Sequence, residues 1–78
     1  MSVTMWEVRA ADGAVDALID WVLGRLAPDT SVYRSEAGED RVVVIDPSGT
    51  AAVTLADVPV DLIARPPHAW DFRPARNG

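Results

Sequence analysis

Residues 41–55 read RVVVIDPSGTAAVTL, and the fold depends on how the second half of that stretch is taken. Val42 to Ile45 form a β-branched run without polar alternation, which suits a central strand covered on both faces. The DPSGT that follows is a turn with a mechanism. Asp46 can accept a hydrogen bond at its first position, Pro47 fits the second position of a type I turn, and Gly49 can adopt the left-handed conformation. A turn of this kind predicts a hairpin whose return strand is residues 51–55. The element order is then β-α-β-β-β-α-β. If 51–55 is not a strand, the order shortens to the ferredoxin-like β-α-β-β-α-β.

Upstream, residues 4–10 alternate, with Trp6 and Val8 on one face and Met5, Glu7 and Arg9 on the other, as a strand with one face on a core requires. The period then changes. Val15, Leu18, Ile19, Val22, Leu23 and Leu26 make a single apolar stripe, which predicts a helix over about 13–27 with Asp12 as its N-cap and Pro28 as its stop. Residues 31–36 read as a strand with Val32 and Tyr33 on opposite faces. Downstream, Asp57 and Pro59 open a short helix over about 58–64, stopped by Pro66 and Pro67. HAWDFR closes the chain as an edge strand bounded by proline. The expectation is one α+β domain over residues 1–78, a two-layer sandwich with a mostly antiparallel sheet of four or five strands, with flexible ends at 1–3 and 75–78.

Composition narrows the chemistry. The chain has no Cys, one His and no Lys, so disulfides, thiolate metal centres, Schiff-base chemistry and a phosphate-loop lysine are all excluded. With a net charge of -5 and no basic stripe, the chain repels a phosphate backbone, which argues against nucleic-acid binding. No stretch approaches a membrane span, and the first residues lack the pattern of a signal peptide, so a cytoplasmic setting is expected. A domain this small has a thin core and often gains stability from a second copy, so self-association is expected.

Few residues stand out as a site. His68, Trp70 and Phe72 alternate onto one face, and their character makes that the core-facing side, with Asp71 and Arg73 outside. Trp6 and Trp70 then touch if the first and last strands are neighbours. His68, Trp70, Tyr33 and Arg9 are the candidates for a ligand pocket. Trp21 lies off the helical stripe beside Ala14 and Ala17, which makes Trp21 and Ala17 candidates for a subunit contact. Asp12, Asp16 and Asp20 form a solvated acidic stripe. Serine-nucleophile and glycine-rich phosphate motifs are absent, and no catalytic residue, metal ligand or cofactor is assigned.

The succession MWEVRA, amphipathic helix, VYRS, RVVVID and PPHAWDF resembles small proteins of high-GC bacteria. More loosely it resembles dimeric α+β barrel proteins, a group that includes cofactor-independent antibiotic-biosynthesis monooxygenases. The resemblance implies two ferredoxin-like subunits packed sheet to sheet and a cavity for a small aromatic ligand. It carries over no catalytic residue. Two functions therefore stand at this point: a non-enzymatic, homodimeric interaction or accessory domain, and a small-molecule binder or simple enzyme of the barrel type.

Overall fold

The structure is a computed structural model that describes residues 2–76. In it, strand β1 (Val3–Arg9) leads to helix α1 (Val15–Leu23), strands β2 (Ser31–Arg34) and β3 (Arg41–Asp46), and a one-turn helix α2 (Ala51–Thr54). A 3-10 turn at Val60–Leu62 and strand β4 (His68–Phe72) complete the chain. The sheet order is β2-β3-β1-β4, and every neighbouring pair is antiparallel. The shorter of the two element orders is therefore the one adopted, in a two-layer α+β sandwich.

Residues 51–54 are helical, with Leu55 as the C-cap, rather than part of the return strand of a hairpin. Alternation would group Ala51, Val53 and Leu55 on one face, but Ala51 and Leu55 are fully buried while Val53 is 83% exposed. Spacing of i and i+4 brings the two buried residues together only in a helix. The turn chemistry itself holds: Asp46 accepts from the Ser48 and Thr50 N–H groups at 2.9 Å each, and Gly49 has φ +77°. The turn aims the chain over the sheet instead of back along it.

One sheet face meets the helices. Thr4, Trp6 and Val8 of β1 and Val42 and Val44 of β3 lie beneath Val15, Leu18 and Val22 of α1 and Ala51 and Leu55 of the second helical segment. Helix α1 packs over β3, and α2 packs over β1. At one end the buried Thr4 stands opposite both Asp46 and Asp71, and its hydroxyl donates to Asp71 Oδ1 at 2.6 Å. That hydrogen bond satisfies a polar group at the rim of the core.

Four expectations need correction. Helix α1 is shorter than 13–27: Ala14, not Asp12, holds the N-cap position, and the Gly24 N–H closes the last turn on Asp20. The second helix expected near 58–64 is reduced to the 3-10 turn. Strand β3 is central but covered on one face only, since Val43 and Ile45 are half-buried on the other side. Finally, β4 is an edge strand beside β1, but its faces are reversed. Trp70 stands opposite Met5 and His68 opposite Glu7, so His68, Trp70 and Phe72 point away from the helices. Trp6 and Trp70 accordingly lie on opposite sides of the sheet. Of the ends expected to be flexible, Val3 belongs to β1, and Met1, Asn77 and Gly78 lie outside the described residues.

A Cβ on Gly49 would sit 3.3 Å from the Ser2 carbonyl oxygen, at a φ that L residues avoid. Gly49→Ala is expected to cost about 1–2 kcal/mol. Gly24→Ala, at φ -70° with no contact nearer than 3.5 Å, is expected to be neutral or slightly stabilising. Urea unfolding of both variants checks the pair, and equal midpoints would contradict the turn geometry.

Candidate functional site

The sheet face turned away from the helices is uncovered, and it divides into two parts. Its apolar part comprises Val3 and Met5 of β1, Val43 and Ile45 of β3, and Trp70 and Phe72 of β4. Tyr33 extends it on β2, opposite Val43. Trp70 is 44%, Phe72 51% and Tyr33 59% exposed, a large aromatic exposure for a chain with so few aromatic residues.

The other part is charged. Arg9 ends β1 and Arg41 begins β3, and the antiparallel register sets them directly opposite each other. Like charges in that relation repel. Glu39, in the β2–β3 loop, relieves the repulsion: its carboxylate lies 3.1 Å from Arg9 Nη1 and 3.3 Å from Arg41 Nη2. Arg65, just beyond the 3-10 turn, approaches the same carboxylate at 3.8 Å, and Glu7 pairs with Arg41 at 3.6 Å. The Arg41 hydrogen bond, followed by the charge of Arg9, holds the Glu39 carboxyl below its ordinary 4.5. The loop is fixed by Ser35, whose hydroxyl donates to the Glu39 carbonyl at 2.7 Å and accepts from the Arg41 N–H at 2.9 Å.

Beside this cluster is a concavity of about 100 Å³ lined by Glu7, Arg9, Arg41, Arg65, Pro66 and His68. The His68 ring stacks on Trp70, with centroids 5.7 Å apart and planes 19° from parallel, so it joins the charged and the apolar parts of the face. A second concavity, about 210 Å³, lies near Arg25, Asp46, Ser48 and Thr50. Its charged groups are already matched, Arg25 to Asp57 and Asp46 to Ser48 and Thr50. The first concavity instead sets three arginines against two carboxylates, and is therefore the better candidate.

The four expected pocket residues are only partly brought together. Arg9 and His68 line one concavity and Trp70 stacks on His68, but Tyr33 lies across the sheet on the opposite edge strand. His68 is exposed, not a core-edge histidine. Trp21 is half-buried at the margin of the core with the Arg25 guanidinium 4.7 Å above its ring, while Ala17 is exposed. Glu7 and Arg9 find Arg41 and Glu39 as partners, whereas Arg34 turns to Asp16 on the helix side. Sequence reasoning missed Glu39, Arg41 and Arg65. The available signal was an arginine at the end of one strand and another at the start of a second, which antiparallel pairing would oppose. Among the described residues no group of acidic, His or Cys side chains is placed to hold a metal ion, and no helix is long and apolar enough to cross a membrane.

Together these features define a small two-layer α+β protein with a four-stranded antiparallel sheet and one uncovered sheet face. No protein-family model matches the sequence, and no curated protein matches it. Among solved structures the chain is similar to that of Rv0793 from Mycobacterium tuberculosis, with a TM-score of 0.53 and 17% identity over 97% of this chain and 96% of that one. At this identity the likeness concerns the fold.

Proposed function

We propose that the chain is a ferredoxin-like protomer that acts as a non-enzymatic interaction domain and self-associates through the uncovered face of its sheet. The observation that carries this reading is the exposed apolar surface formed by Met5, Ile45, Trp70 and Phe72 on three adjacent strands. The chain exposes 5203 Å², about 600 Å² more than the roughly 4600 Å² expected for a folded monomer of its 8.4 kDa mass. The exposed residues 73–76 supply some of that excess. A standard interface covers about 800 Å² on each partner.

A second copy suits this face better than an unrelated partner. The chain carries a net charge of -5, so two copies repel each other over most of their surfaces. The apolar part of the face carries no charge, and its charged end holds both signs. An uncharged apolar patch can meet its own copy about a twofold axis without opposing like charges, which a symmetric dimer requires. The chain has no Cys for disulfides, so covering this face is the clearest means of enlarging a thin core.

Sedimentation at about 200 μM protein is expected to show a dimer, because interfaces of this size commonly reach micromolar affinity or better. Phe72→Glu, at an exposed position on an edge strand, is expected to weaken the dimer at least about tenfold while leaving the circular dichroism spectrum intact. A monomeric wild-type chain at that concentration would overturn the proposal, and so would an undiminished dimer in the variant.

A further inference from the structure

We infer that the concavity framed by Arg9, Arg41 and Arg65 binds a small carboxylate anion, with Glu39 occupying part of the site as an internal competitor. Three observations converge on this assignment. The first is charge. Three arginines face two carboxylates, Glu7 and Glu39, which leaves one positive charge in excess on a chain whose net charge is -5. The second is unused donor capacity. Each guanidinium has five N–H donors, yet among the described residues these three arginines make one hydrogen bond to a carboxylate, Arg41 Nη2 to Glu39 Oε2 at 3.3 Å. Arg9 and Arg65 approach Glu39 as ion pairs without hydrogen-bond alignment. The third is placement. Arg9 and Arg41 stand directly opposite in the sheet, a juxtaposition that lowers stability unless an anion lies between them.

The group already held there is itself a carboxylate, which shows what the three guanidiniums are positioned to receive. Ser35 holds the Glu39 backbone, but the Glu39 side chain is 41% exposed, so its carboxylate can swing out by rotation alone. The space of about 100 Å³ beside it holds a few non-hydrogen atoms, with Pro66 and the His68 ring as the less polar walls. All the groups belong to one chain, so the site needs no residue from a second copy.

The test is an amide chemical-shift titration with sodium acetate, sodium phosphate and sodium chloride in parallel at constant ionic strength. Acetate is expected to give saturable shifts at Glu7, Arg9, Arg41, Arg65 and His68. In an Arg41→Gln, Arg65→Gln double variant the acetate midpoint is expected to rise about tenfold or more. Glu39→Gln, an exposed and conservative change that removes the competitor, is expected to lower it severalfold. Acetate shifts no more saturable than those of chloride would overturn the inference. Saturation by phosphate alone, or midpoints unchanged in both variants, would do the same.

Discussion

Trp6→Ala is expected to remove about 3–5 kcal/mol of stability, most of what a chain of this size possesses. Trp6 is 2% exposed on β1, the strand with neighbours on both sides, opposite Val44 of β3 and Ala69 of β4. Ala69 is too small to fill the vacated space, and Val44, directly opposite, is already fully buried where it stands. The cavity would therefore persist and add to the lost transfer energy. Val53→Ala provides the contrast. Val53 is 83% exposed on α2, where Ala has the better helix propensity, so this variant is expected to stay within about 0.5 kcal/mol of wild type. Urea unfolding followed by tryptophan fluorescence and circular dichroism measures both. If Trp6→Ala cost under about 1.5 kcal/mol, the packing described around it would be wrong.

The contrast between Trp6 and Trp70 also shows what was legible in the sequence. Glu7 and Arg9 alternate with Trp6 and Val8 and mark the other side, so alternation puts Trp6 and Val8 on the inner face, where they are buried. In β4 the same rule misled. His68, Trp70 and Phe72 are the apolar alternates, yet they point outward, because the outer face of this sheet is itself apolar and Ala69 and Asp71 face the helices. Alternation separates two faces of a strand; it cannot say which one the helices cover when both are able to be buried. The helical stripe of α1 needs no such choice: Val15, Leu18 and Val22 are buried where the period puts them, although Leu23, at the last turn, is 54% exposed and Leu26 lies beyond the helix. Residues 51–55 failed for a different reason. A short apolar run fits both periods, and the burial of Ala51 and Leu55 decides it only once the sheet is in place. The arginine cluster was the least legible feature, since residues 9, 39, 41 and 65 meet only through strand register and a loop.

Asp46→Ala is expected to cost about 2–3 kcal/mol, even though no apolar contact is involved. The Asp46 carboxylate is nearly inaccessible and accepts four hydrogen bonds: Oδ1 from the Ser48 N–H and hydroxyl at 2.9 and 2.6 Å, Oδ2 from the Thr50 N–H and hydroxyl at 2.9 and 3.3 Å. These bonds hold the turn that carries the chain from β3 into α2, so truncation leaves donors without acceptors at the point where the chain changes direction. Asp46→Asn keeps the shape but sets an amide N–H₂ against donors on one side, so a loss of about 1–2 kcal/mol is expected. The dependence on pH separates this account from a purely steric one. Burial pushes the Asp46 carboxyl upward, but the hydrogen bonds from Ser48 and Thr50 outweigh it, and the group is held below its ordinary 3.8. A depressed folded-state value means that the contribution is complete above the unfolded value of about 3.9 and is lost as pH falls through the folded one. The stability gap between wild type and Asp46→Asn should therefore be constant from neutral pH down to about 5 and should shrink below about 4. Denaturant titrations at pH 7, 5, 4 and 3 measure that gap directly. A gap that stayed constant through the acid range would show that the charge of Asp46 contributes nothing to the turn, and that the shape of the side chain alone holds residues 46–50 in place.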